Sequence, residues 1–304
     1  MARVTPSGEI LGATIEDLDL SQPLSSTDTA LILASLGRYG VLRFPGQNLD
    51  AGQQKAFAGR FGTLEVNVAA GPYTVAPHKE IMILSNIVEN GRAIGLGDAG
   101  QGWHTDMSYS ADIAFANVLY AIKVPKRNGE PLGTTEFANM HAAYEELPAA
   151  IKTRLADATA LHDFAKFWDM MRARPGSTRP PLTEAQRRQK PPVSHPVFLT
   201  HPITHRKVLY CNPGYAIRIN GFDPAESEEI LDLLFAHQLQ PKYRYQHRWS
   251  EGDVLMWENI GTLHNAIADY GPDEPRLIHR CQVMADKVLD PGFVKRTLQG
   301  TAAT

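Results

Sequence analysis

Trp103-His104-Thr105-Asp106 places an imidazole and a carboxylate two residues apart, and a further imidazole, His264, follows far downstream. His-x-Asp with a distant His is the donor set that holds Fe(II) on one face and leaves the other positions open for a co-substrate and oxygen. Arg276 comes twelve residues after His264, with Arg280 close behind. Fork-shaped guanidinium groups suit carboxylates, so this placement fits an acidic co-substrate such as 2-oxoglutarate. Together these residues predict an oxygen-activating iron enzyme.

The elements around these residues must bring them together. Side chains two apart on a strand share a face, so His104 and Asp106 are expected to project together from a strand, with Trp103 and Thr105 opposite. In a chain with 11 His so short a motif is weak alone. Its setting strengthens it: a Gly-rich loop over 95–102 leads into it, where backbone can approach a ligand closely. His264 follows an apolar strand, Val254–Glu258, and a turn over Asn259–Thr262. A turn over Gly271–Pro275 then delivers Arg276, Ile278 and Arg280 to one strand face, where two cations need anions between them. A rival pair, His78-Lys79-Glu80, opens an apolar stretch and reads as the surface start of a strand.

The first fifty residues read as strand (Glu9–Ile15), helix capped by Ser25 or Ser26, and strand (Val41–Phe44). Asp50 with Gln53 predicts a capping box for a second helix, ending near Phe61-Gly62. Further strands are expected over Glu80–Ser85, Ile113–Val124 and Thr134–Phe137. Helices are expected over Met140–Leu147 and, continuing, Ile151–Leu161. Residues 166–195 form a basic, Pro-rich insertion, which composition favours as a solvated, partly disordered loop; the functional alternative is a lid. Short strands return over Val197–Thr200, Lys207–Cys211, Arg244–Arg248, Val254–Glu258 and Leu277–Met284, interrupted by a helix over Ala225–His237. This pattern predicts an α+β chain with a sandwich or barrel-like sheet core and helices around it.

The chain has 304 residues, 43% hydrophobic and 21% charged, with a net charge of −3, as in an ordinary water-soluble protein. Near-neutral charge gives no reason to expect nucleic acid or an anionic membrane as partner. Cys211 and Cys281 are the two cysteines, without a CxxC, so free buried thiols and a reducing cytoplasm are expected. The first residues have no apolar core of a secretory signal, and no apolar run is long enough to span a bilayer.

Trp103–Asp106, Gly133-Thr134-Thr135 before Ala142–Glu145, His195-Pro196-Val197, Thr200-His201-Pro202 and Trp257 to Arg280 resemble the taurine dioxygenase-like family of Fe(II)/2-oxoglutarate-dependent oxygenases. The resemblance runs from Gly12 to Arg280. It implies a double-stranded β-helix, or jelly roll, with helices outside, and a single catalytic domain over 1–304. It further implies that His104, Asp106 and His264 ligate iron, that Arg276 and Thr135 bind the distal carboxylate of 2-oxoglutarate, and that Arg280 meets an anionic substrate group. The implied reaction couples oxidative decarboxylation of 2-oxoglutarate by O2 to hydroxylation of a substrate C–H bond.

The taurine-specific members carry a His and a Tyr where this chain has Asn67 and Ala70, and a polar residue where it has Gly100. Taurine is therefore not the expected substrate; a larger or more apolar anion is, with Asn67 among its contacts. Phe167, Trp168, Met170 and Met171 are candidates to line such a pocket if the insertion folds over it. The resemblance leaves a homo-oligomer, dimer or tetramer, open. Two alternatives compete: a zinc hydrolase on the same donors, without an HExxH to favour it, and a non-catalytic sensor, which should lack at least one ligand.

Overall fold

The computed structural model describes residues 2–67, 71–174, 177 and 179–299. Its largest sheet has eight strands in the order Arg3–Pro6, Ala13–Glu16, Val41–Phe44, Val254–Glu258, Ala114–Lys123, Leu277–Met284, His78–Ser85 and Thr74–Val75. Every pairing in it is antiparallel except that of Ala13–Glu16 with Val41–Phe44. A three-stranded sheet, Arg244–His247, Thr135–Asn139 and Thr262–Ala266, packs against it through Phe137, whose ring centre is 5.3 Å from that of Trp257. Another joins Val193–Pro196, Thr159–His162 and Ala216–Ile219.

Alternation along the central strands decides which residues face the site. On Val254–Glu258, Val254 and Met256 join the large apolar core under the helices. Leu255 and Trp257 join a second core with Met82, Leu84, Leu119, Ile278 and, from the small sheet, Phe137. A period of two on a strand buried on both faces gives this division. The face shared by Leu255 and Trp257 is the one on which the polar site is built.

The first helix, Ser26–Tyr39, starts where expected: the Ser25 hydroxyl accepts the Asp28 amide, a cap of about 1 kcal/mol. The predicted capping box is present on Ala51–Ala58, between Asp50 and Gln53, although that helix stops short of Phe61. The early strand is Ala13–Glu16 rather than Glu9–Ile15. The helix expected to continue through Leu161 is corrected. It spans Ala149–Arg154, and Thr159–His162 is a strand whose buried Ala160 and His162 pair with flanking strands on both sides. Tertiary pairing overrides the helical pattern there.

The basic insertion is also corrected. Phe164–Arg172 and Glu184–Gln189 are helices and Val193–Pro196 is a strand, while Pro175, Gly176 and Thr178 lie outside the described residues. Asp163 caps the first of these helices and Phe167 and Met171 are buried by it; apolar anchors at i and i+4 hold it down. Arg179 makes a two-pronged ion pair with Asp98, both contacts at 2.8 Å, tying the insertion to the Gly-rich loop. Glu80 pairs with Lys55 at 2.8 Å, as expected for the surface start of a strand. Cys211 and Cys281 are free and buried, and burial pushes both thiols up to about 12. Among the described residues no helix is long and apolar enough to cross a membrane.

Candidate active site

His104, Asp106 and His264 converge. One donor atom from each lies within 4.8 Å of the other two, and all three residues are buried. The expected strand at His104–Asp106 does not form. His104 makes an isolated antiparallel bridge with His264, through amide-to-carbonyl bonds of 3.1 and 2.8 Å in the two directions, and Asp106 opens a turn. Met107, at φ 59°, turns the chain immediately afterwards, so regular pairing cannot continue. The two imidazoles are thus locked side by side by backbone, 4.2 Å between ring centres. The opposite-face expectation holds for Thr105, whose hydroxyl donates to the Asn259 carbonyl.

The hydrogen bonds assign the ring nitrogens. His104 Nδ1 lies 2.7 Å from the Gly102 carbonyl. A carbonyl only accepts, so Nδ1 carries the proton and Nε2 presents a bare lone pair. That Nε2 is 3.6 Å from one oxygen of Asp106, and His264 Nε2 is 3.8 Å from the other. Asp106 is steadied by Asn117, whose amide donates at 2.8 Å, and by Arg280 at 3.3 Å. Burial opposes ionisation of Asp106, but Arg280 and the two imidazoles outweigh it and hold the carboxyl well below the usual range. Burial, reinforced by His104, keeps His264 neutral. Two imidazoles, one with its Nδ1 proton held by the Gly102 carbonyl, and an ionised carboxylate with oriented outer partners fit a divalent metal of the iron type.

The arginines occupy different surroundings. Arg276 directly precedes its strand, which begins at Leu277; the register shift between Leu277 and Ile278 places its extra residue, Ile122, on the neighbouring strand, while the pairing with Ile81–Ser85 runs unbroken, so the alternation of Ile278 and Arg280 is kept. Arg276 is buried, stacks over Tyr270 at 5.8 Å and has no partner on Nε. Among the described residues no carboxylate pairs with it. An uncompensated buried cation costs several kcal/mol, a cost that an anion placed here would offset. Thr135 is buried on the small sheet, and its hydroxyl accepts from Trp249 Nε1 at 3.1 Å. That leaves the hydroxyl proton available to donate.

A cavity opens beside Asp106 and Arg280, lined by Asn67, Tyr109, Phe164, Phe167, Trp168 and Tyr215 among others. Phe167 packs against His104 with ring centres 4.7 Å apart, so the insertion does fold over the site. Met171 is buried in this aromatic cluster and Met170 packs against it, close to Gly102. Gly100 also lines the cavity; Ala70 lies outside the described residues. Sequence reasoning missed Asn117, Asn259, Tyr109, Tyr215 and Gly214. A Cβ on Gly214 would stand 2.7 Å from that of His104, so only glycine lets the chain pass there. Asn117 had a usable signal: it is the one amide within the apolar strand Ala114–Lys123.

Residues 3–282 match the Taurine catabolism dioxygenase TauD, TfdA family. The chain is 32% identical to a pentalenolactone F synthase of Streptomyces arenae, across 95% of this chain and 97% of the relative. It is 33% identical to an alpha-ketoglutarate-dependent 2,4-dichlorophenoxyacetate dioxygenase of Cupriavidus pinatubonensis, across 93% and 98%. Its backbone resembles the crystal structure of AAD-2 in complex with Mn(II) and N-oxalylglycine, with a TM-score of 0.76, 26% identity and coverage of 93% and 97%. The chain therefore belongs to the TauD, TfdA family and is a dioxygenase that uses Fe(II), 2-oxoglutarate and O2.

Proposed function

We propose that this enzyme hydroxylates a C–H bond of a small organic anion with an apolar, aromatic-sized body. In this reading His104, Asp106 and His264 hold the iron, Arg276 and Thr135 take the distal carboxylate of 2-oxoglutarate, and Arg280 and Asn67 meet the substrate. Bound iron, with 2-oxoglutarate and O2, supplies the oxidising power, and succinate and CO2 are the co-products. The protein contributes geometry and dryness. Asp106 stays ionised beneath Arg280, Gly102 fixes the His104 tautomer, and Phe167 shields the imidazoles from solvent. Where the hydroxylated carbon bears a heteroatom, the product collapses with C–O, C–S or C–N cleavage.

The observation that carries the reading is the conjunction of the three donors with a buried, carboxylate-free Arg276 and an aromatic-walled cavity. Aromatic walls suit a flat apolar body, and a relative is named for 2,4-dichlorophenoxyacetate. Asn67 and Gly100 at the cavity point away from taurine. The two facing sheets are read as the halves of a double-stranded β-helix, and residues 1–304 as one catalytic domain. The test is succinate formation by anaerobically Fe(II)-loaded protein with 2-oxoglutarate and O2, against aryloxyalkanoates, sulfate esters, sulfonates and phosphonates. Stimulation by an aryl or bulky anion and none by taurine is expected. Taurine as the best substrate would overturn the assignment.

A further inference from the structure

A second group of two histidines and a carboxylate, His141, His201 and Glu258, is buried with donor atoms within 4.8 Å of one another. Its hydrogen bonds differ from those at the first. His201 Nδ1 accepts the amides of Ile203 and Thr204, each at 3.2 Å. An amide only donates, so the neutral ring carries its proton on Nε2, the atom 3.3 Å from Glu258. A protonated nitrogen is no metal ligand. The same Glu258 oxygen already accepts the Ile260 and Gly261 amides at 2.8 and 2.7 Å. The carboxylate is folded back over its own turn.

That turn is linked to all three metal-site residues through their neighbours. Thr105, between His104 and Asp106, donates to the Asn259 carbonyl. Asn117 divides its amide between Asp106 and the Asn259 side chain, at 2.8 and 3.3 Å. Thr262 bonds back to the Glu258 carbonyl and opens the strand that carries His264. Gly261 makes room: a Cβ there would stand 2.5 Å from Glu258 Oε1 and 3.0 Å from His141 Nε2.

Resting on the ligand assignment above, we propose that Glu258, held by the Ile260 and Gly261 amides and flanked by His201 and His141, is a positioning residue for the metal centre. It shapes the 258–262 turn so that Asn259 and His264 meet the His104–Asp106 segment in register. It touches neither metal nor substrate.

The test measures Mn(II) affinity and stoichiometry by titration calorimetry in wild type, Glu258→Ala, Glu258→Gln and His104→Ala, alongside kcat and the KM for 2-oxoglutarate. Glu258→Ala should weaken Mn(II) binding by about tenfold or more, the effect of losing an outer partner. Glu258→Gln keeps an acceptor for the two amides and should weaken it less, by about threefold. In both, kcat should fall while the KM for 2-oxoglutarate stays within about twofold, because Thr135 and Arg276 lie off the turn. A general loss of stability would instead lower the melting temperature without changing Mn(II) affinity well below it. Wild-type affinity in the folded Glu258 variants would overturn the positioning role, and if Glu258→Ala does not fold, Glu258→Gln decides. Two Mn(II) per wild-type chain, falling to one in Glu258→Gln, would overturn it by making Glu258 a ligand. Retained Mn(II) binding in His104→Ala would instead sink the ligand assignment.

Discussion

Two buried clusters of this molecule have the same composition, two histidines and one carboxylate, and different chemistry. At His104, Asp106 and His264 a backbone carbonyl takes the proton of one ring and frees its other nitrogen. At His141, His201 and Glu258 one ring, His141, also faces a carbonyl, that of Lys207 at 3.2 Å, but backbone amides occupy Nδ1 of His201 and force its proton inward. The carboxylates differ likewise. Asp106 receives side chains, Asn117 and Arg280, at the edge of a cavity. Glu258 receives amides of its own turn. Burial opposes the ionisation of Glu258, and His201, the Gly261 amide and His141 together outweigh it. Residue types in proximity do not make a metal site; the outer hydrogen bonds decide which lone pairs are offered.

The largest expected effect separates the clusters directly. Asp106→Ala or His104→Ala should reduce succinate formation below detection and abolish Mn(II) binding. His141→Leu should keep one Mn(II) per chain and most of the turnover. A His141→Leu protein that loses all metal while Asp106→Ala keeps it would reverse the assignment of the two clusters.

The same contrast shows how far the sequence could be read. His104, Asp106 and His264 were legible because their types and order match an iron donor set, and the second cluster was not, although His201 and Glu258 sit in the stretches that carry the family resemblance. Cluster membership there depends on a helix start, a loop and a turn meeting in space, and no short spacing encodes that. Strands such as Val254–Glu258 and Leu277–Met284 were legible to the residue because both faces are buried and the ends carry turn residues. The His104–Asp106 segment was misread as a strand because its pairing is a single bridge, set by a partner 160 positions away. For the insertion, Arg and Pro content favoured a solvated loop, whereas Phe167 and Met171, among the candidates to line a pocket, dock its helix onto the site together with Phe164, the first residue of that helix.

A smaller effect tests the difference between the arginines. Arg276 has no carboxylate partner among the described residues, whereas Arg280 already bonds Asp106 and Gln282, each at 3.3 Å. Arg276→Ala should raise the KM for 2-oxoglutarate by about tenfold or more, as expected for losing a charge-assisted pair of ~1.5–3 kcal/mol. Arg280→Ala should raise it less and act mainly on the substrate. The reverse order would exchange the two roles. Between these in size, Gly214→Ala should weaken Mn(II) binding several-fold by displacing His104, with little change in the KM for 2-oxoglutarate.

The smallest expected effect uses a buried imidazole outside both clusters. His162 is fully buried and bonds Ser108 at 3.1 Å through Nδ1. Burial, with His195 and Lys166 nearby, pushes it down to about 3. An unfolded histidine takes its proton near ~6.5. Between these values the unfolded chain binds a proton that the folded chain refuses, so stability falls as pH falls, by up to about 1.4 kcal/mol per unit. Between pH 6.5 and 5 this group should therefore cost at most about 2 kcal/mol. His162→Gln keeps a partner for Ser108 and removes the proton uptake. Urea unfolding of the metal-free proteins at both pH values should show a shallower loss in the variant. Equal losses would mean that His162 takes up its proton in the folded chain, and that burial alone does not keep an imidazole neutral in this fold. The neutral state of His264 would then have to come from His104 and Arg280 beside it.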